Sequence, residues 1–133
     1  MLKINKRFLI ALLTFALPFG CVGCSDAGGS ATYEQISGAE AKALMDSESG
    51  YIIIDARTQE EYDQGHIPGA IMIPEYEIAD RAEKELPDKD QLILVYCQSG
   101  RRSKIAAEEL VKLGYTNVKE FGGIIDWEYE IVK

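Results

Sequence analysis

Apolar residues in this chain come in short blocks, and the segments between them are charged and helix-periodic. Three blocks, Tyr51 to Asp55 (YIIID), Ala70 to Pro74 (AIMIP) and Gln91 to Cys97 (QLILVYC), are nearly continuous runs too short for helices. Such runs suit strands covered on both faces, as in a parallel sheet. YEQI at 33–36 and VKEF at 118–121 read as a first and a last short strand. Between them lie four helical segments. Ser37 with Glu40 three residues on forms a capping box that opens SGAEAKALM. TQEEYDQG predicts a short helix ended by Gly65, and residues 75–86 a charged helix stopped before Pro87. RSKIAAEELVKLG places Ile105, Ala106, Leu110 and Leu113 on one face, with Gly114 at the helix end. GGIIDWEYEIVK, from Gly122 onward, is expected to form a terminal helical turn or two.

Strands alternating with helices predict an α/β fold with a mostly parallel sheet and helices on both faces. Ligands of such sheets bind beyond the carboxyl ends of the strands. Asp55 and Cys97 both end strands, so they belong to the same side of the domain.

The N-terminus differs from the rest. MLKINKR is positively charged, and FLIALLTFALPFG is an apolar run shorter than the roughly 20 residues that span a bilayer. GCVGCSDAGGSAT then passes into a Gly/Ser linker. This order predicts an export signal over 1–23, a tether over 24–32 and the folded domain over 33–133. A small residue before a cysteine, Gly23-Cys24, resembles a bacterial lipoprotein lipobox, although the leucine usual three places earlier is Cys21 here. Cys24 is the expected lipidation site, with Cys21 as the alternative; an uncleaved anchor is the other reading of the segment. Cys21-Val-Gly-Cys24 also has the Cys-x-x-Cys spacing of redox and metal motifs. It lacks the strand-to-helix context and the second ligand pair that either would need. Cleavage before Cys24 leaves Cys97 as the one thiol without a disulfide partner. The chain is expected outside the cytoplasm, held at a bacterial membrane by its lipid.

The formal net charge is −8, and residues 1–24 contain Lys3, Lys6 and Arg7 but no acid, so the body of the chain is strongly acidic. Such a surface argues against nucleic acid and against anionic membranes as general partners. A positive site within it would be a local exception, and the sequence offers one.

VYCQSGRRS, residues 95–103, turns from a strand into a helix within a few residues of Cys97, with Gly100 permitting the turn. Such a loop directs backbone N–H groups inward as an anion nest at a helix start. A thiol there is drawn toward thiolate by those groups, by the helix dipole and by Arg101 and Arg102. The competing reading is a buried structural cysteine ending a strand, with the arginines on a solvated face.

VYCQSGRRS resembles the active-site segment of rhodanese-domain sulfurtransferases. IIIDART with EEY at 60–62, GHIPGAIMIP at 65–74, and GYTNV with FGGIIDW at 114–127 resemble further motifs of that family, in its order and spacing. The resemblance covers nearly all of residues 33–131, in one copy. It implies a rhodanese-like, five-stranded mostly parallel sheet and a two-step transfer. Cys97 would accept sulfane sulfur from a donor such as thiosulfate, forming a persulfide, and pass it to cyanide or a thiol. The loop Gln98, Ser99, Gly100, Arg101, Arg102 and Ser103 would bind the sulfur anion, through N–H groups and the arginines. A non-catalytic binding or persulfide-carrier module is the alternative. Cysteine phosphatases instead need an arginine six places after the cysteine, where this chain has Ser103.

Asp55 and Arg57 match family positions as supporting residues, and Arg57 could equally pair with Glu61 four places on. His66 belongs to a turn motif and is not expected to be catalytic, and Trp127 reads as packing. No metal site and no cofactor are expected. The partners expected are a small sulfur anion and a thiol or cyanide acceptor, with the protein a monomer.

Overall fold

The computed structural model describes residues 32–133. The expected signal, Cys21, Cys24 and nearly all of the linker lie outside the described residues.

Five strands form one sheet: β1 (Glu34–Gln35), β2 (Ile52–Asp55), β3 (Ile71–Met72), β4 (Ile93–Cys97) and β5 (Val118–Gly123). Their order is β1-β5-β4-β2-β3 and every pairing is parallel. All five residues of the central strand β4 are buried. Because side chains alternate along a strand, β2 and β4 supply both faces at once. Ile54, Val95 and Cys97 face one core with Ile78, Ala82, Ala106, Ala107 and Leu110. Ile53, Leu94 and Tyr96 face the other, with Ala41, Ile67 and Phe121. The two-sided burial read from YIIID and QLILVYC is therefore the actual arrangement for β2 and β4, whereas β3 is a half-buried edge strand.

Helices α1 (Gly38–Ser47), α2 (Gln59–Gln64), α3 (Ile78–Glu85) and α4 (Arg101–Lys112) connect the strands. Ser37 and Glu40 form the expected capping box, and Gly65 ends α2 at φ 148°. The 75–86 segment divides into a 3-10 turn over Glu75–Glu77 followed by α3.

Three details differ from the sequence reading. Helix α4 starts at Arg101, and its buried face is Ser103, Ala106, Ala107 and Leu110, while Ile105 is 39% exposed. Those four positions follow the i, i+3, i+4, i+7 rule, from which Ile105 falls out. Strand β5 runs on through Gly122 and Gly123, because Cys97 pairs with Gly123 after a register shift between Val95 and Cys97. Beyond a 3-10 turn at Ile124–Asp126 the chain does not form a helix. Val132 instead pairs with His66, each N–H donating to the other's carbonyl at 2.8 Å. The terminal backbone satisfies its donors against the GHIPG segment rather than within a helical turn.

Candidate active site

Cys97 is the last residue of β4 and α4 begins four residues later. Gly100 makes this turn possible: it has φ +97° as the N-cap of α4, and a Cβ on it would meet Gly122 Cα at 3.4 Å. Within the loop, Gly100 N–H donates to Cys97 Sγ at 3.0 Å. Cys97 is 1% exposed, at the floor of the loop. Burial pushes its thiol up, but the Ser103 side chain beside it and the backbone of Ser103, Gly100 and Ser99 outweigh that, so the net direction is toward thiolate. Of the loop's backbone N–H groups, that of Gly100 lies within hydrogen-bond distance of the sulfur among the described residues.

The end of β5 presses on this loop from behind. A Cβ at Gly123 would lie 2.2 Å from Gln98 O and 2.6 Å from Ser99 Cα, both backbone atoms. Gly123→Ala should therefore displace the loop, lowering stability by about 2–3 kcal/mol. Urea denaturation checks the value, and a loss below about 0.5 kcal/mol would show that the backbone yields freely.

The two arginines are placed differently. Arg102 grips Glu61 with both terminal nitrogens, at 2.7 and 2.8 Å. Arg101 stands exposed at the helix start, and no ion pair engages it among the described residues. Glu61 also closes a capping box with Thr58 at the start of α2. The Arg102 guanidinium, with Thr58, holds the Glu61 carboxyl down to about 2 against its partial burial. Its folded-state value thus lies below the ordinary value of about 4.3. The stability it contributes is present above that ordinary value and is lost as pH falls toward the depressed one. Glu61→Gln should remove this part of the acid slope, read as a smaller difference between urea midpoints at about pH 6 and about pH 3. An unchanged slope would show that the pair contributes nothing to folding.

Asp55 ends β2 and Arg57 follows it, and the two pair with each other rather than Arg57 with Glu61. Arg57 Nε and Nη2 reach the Asp55 carboxylate at 3.0 and 2.8 Å, and Arg57 N–H donates to Asp55 Oδ1 at 3.0 Å. Glu61 is already held by Arg102 and Thr58, whereas Asp55 lies buried at the strand end beside Arg57. The carboxylate also accepts from Tyr96 OH at 2.6 Å, and Tyr96 in turn accepts from Ile67 N–H at 3.1 Å. Burial would lower the Arg57 guanidinium, but Asp55 more than compensates and the net direction is up. Arg57 Nη1 donates to Gln98 Oε1 at 3.2 Å, which ties this buried group to the Cys97 loop.

Ser103, on the first turn of α4, lies between Cys97 and a residue the sequence reading did not single out. Its Oγ is 3.4 Å from Cys97 Sγ and donates to Glu120 Oε1 at 2.6 Å. Glu120 is 3% exposed on β5. The available signal was parity: Glu120 is two places from the apolar Val118 and so shares its inward face. Tyr96 is a further residue that no sequence signal singles out, and Glu61, expected as a possible partner of Arg57, is held by Arg102 instead. His66 stacks on Tyr62 with centroids 3.7 Å apart, and its Nδ1 lies 3.0 Å from Tyr62 O. Trp127 packs against Phe121, 5.7 Å between centroids, and donates to Glu130 O.

The fold and site define a parallel α/β domain with a cysteine seated in a tight glycine loop at the carboxyl edge of its central strand. The chain belongs to the rhodanese-like domain family, whose sequence model matches residues 37–130. It is similar to the thiosulfate sulfurtransferase PspE of Escherichia coli strain K12, with 45% identity over 73 residues, 55% of this chain and 70% of that protein. It is also similar to the putative sulfur carrier protein YrkF of Bacillus subtilis strain 168, with 40% identity over 87 residues, 65% of this chain but 46% of that protein. A solved structure described as a rhodanese with anions from E. coli superposes with a TM-score of 0.59 at 42% identity, over 62% of this chain and 98% of the other.

Proposed function

We propose that the protein is a sulfurtransferase that takes sulfane sulfur from a donor such as thiosulfate and passes it to cyanide or a thiol through a persulfide on Cys97. The observation that carries this reading is the Cys97 sulfur itself, 3.0 Å from Gly100 N–H and drawn toward thiolate. The thiolate is the nucleophile in sulfur exchange. It would attack the outer sulfur of the donor, forming an S–S bond as the donor's S–S bond breaks and sulfite leaves. The acceptor would then attack that outer sulfur and regenerate the thiolate. The Gly100 N–H on Sγ acts where charge sits in both states. Arg101, exposed beside the loop, is the better placed arginine for the anionic end of the donor, since Arg102 already holds Glu61. The reading extends to an extracytoplasmic protein anchored through lipid on Cys24 or Cys21, on the strength of the N-terminal sequence.

The test is incubation with thiosulfate followed by cyanide. Thiocyanate production and the mass of one added sulfur on Cys97 are expected; absence of both would sink the proposal. Sulfur mass without turnover would favour the persulfide-carrier reading, which the likeness to a putative sulfur carrier protein supports. Labelled palmitate incorporation should disappear in Cys24→Ser, or in Cys21→Ser, and label surviving both changes refutes lipidation.

A further inference from the structure

Of the two arginines that follow Cys97, helix α2 takes one out of play. Glu61, on the first turn of α2, accepts from both terminal nitrogens of Arg102, at 2.7 and 2.8 Å. The Arg102 and Glu61 side chains are 29% and 28% exposed, so water screens them less than a pair on open surface. Glu61 foremost holds the Arg102 guanidinium above its ordinary value against partial burial, and the charges of Cys97 and Asp55 add to this. Arg102 thus stands within electrostatic reach of the sulfur. An anion arriving at Cys97 meets it together with its counter-charge. Asp55 cancels Arg57 in the same way. Arg101 is exposed and joins no ion pair among the described residues, so it is the uncompensated guanidinium of the loop.

Glu61 divides its work between its oxygens. Oε2 accepts from Thr58 N–H and Thr58 Oγ1 as well as from Arg102 Nη1, while Oε1 accepts from Arg102 Nη2. A capping box needs only an acceptor at this position, and glutamine serves there as well as glutamate. The cap therefore accounts for Oε2 but not for the negative charge, which is spent on Arg102. We propose that Glu61 is a positioning residue that sets the charge of the sulfur donor: by holding Arg102 it keeps the second guanidinium from the anion, and Arg101 alone meets it. The donor class this favours carries one negative charge, as a thiosulfonate does, over the dianion thiosulfate. With a thiosulfonate, the Cys97 thiolate bonds to the outer sulfur as the donor's S–S bond breaks. A sulfinate leaves with the electron pair of that bond, and the acceptor step is unchanged.

Donor selection rests on Cys97 as the nucleophile of the proposed sulfurtransferase, but anion access past Glu61 can be read without a sulfur donor. Iodoacetate is an anion and iodoacetamide is neutral, and both alkylate the same Cys97 thiolate. The ratio of their rates therefore cancels any change in the amount of thiolate and reports the charge the reagent meets. In Glu61→Gln the amide oxygen can keep the Thr58 cap, while the amide nitrogen faces Arg102 donor to donor and releases it. The ratio should rise about tenfold at low ionic strength, and the gain should shrink as salt is added. The kcat/KM for thiosulfate should rise by a similar factor relative to that for methanethiosulfonate. Glu61→Gln with Arg102→Gln should return the alkylation ratio to near the wild-type value. A folded Glu61→Gln protein with the wild-type ratio overturns the proposal, as does a gain kept whole in the double variant. Should Glu61→Gln not fold, arginine side-chain NMR of Cys97→Ser protein titrated with thiosulfate decides. The Arg101 signal should move while that of Arg102 stays, and an Arg102 signal that moves overturns the proposal. A ratio that rises as expected in a protein making no thiocyanate would remove the sulfurtransferase reading and leave the control by Glu61 standing. Thiocyanate production with an unchanged ratio would do the reverse.

Discussion

Cys97→Ser should abolish thiocyanate formation and sulfur loading together, lowering the rate by on the order of a thousandfold or more. Serine can keep the local geometry, since its oxygen can take the Gly100 N–H and the Ser103 contact that the sulfur has now. What it cannot supply is the chemistry. An alcohol stays protonated where this thiol is drawn toward thiolate, and it forms no persulfide. The variant should remain folded, because the change is small even though Cys97 packs with Ile54, Val95 and Ala106. Circular dichroism and a urea midpoint near wild type check that condition. Turnover within about tenfold of wild type in a folded Cys97→Ser protein would show that the sulfur passes by another route.

The largest expected effect on stability comes from Asp55→Ala. Asp55 is fully buried and accepts from the Arg57 side chain, the Arg57 backbone and Tyr96. Removing it leaves a guanidinium that is 4% exposed without its counter-charge and a buried tyrosine hydroxyl without its acceptor. Breaking a buried pair on one side costs about 3–5 kcal/mol, because the other charge stays desolvated. Typical domains have only about 5–15 kcal/mol in total, so the variant should be marginal at best. Urea denaturation measures the loss. The double variant Asp55→Ala with Arg57→Ala should lose less than the two single losses added together, since the orphaned charge is gone too. Strict additivity would show that the two residues act independently. Gln98 is tied to Arg57, so loop geometry and activity should suffer alongside stability.

Much of this molecule was legible before any coordinates. YIIID and QLILVYC could be read as strands covered on both faces because continuous apolar runs have no polar face to expose. Ser37 with Glu40 announced a helix start because a capping box is a local hydrogen-bond pattern. Cys97 and Asp55 could be placed on one side because parallel strands all end at the same edge.

Tertiary structure decided the pairings. Arg57 four places before Glu61 suits a helix-surface pair, yet it turns into the sheet edge to Asp55, while Glu61 reaches across to Arg102, 41 residues away. Ile105 looked apolar enough to bury, but the start of α4 at Arg101 rotates it outward. The last residues leave the helical path to exchange backbone hydrogen bonds with His66, 66 positions before Val132. The chain alone thus determined the strands, their common edge and the cysteine in its loop, since these follow from local periodicity and turn chemistry. Only packing settled which arginine is engaged, where the Cys97 thiol finds its N–H donor and that Ser103 meets Glu120. Those are encounters between segments far apart in sequence, for which no spacing rule exists.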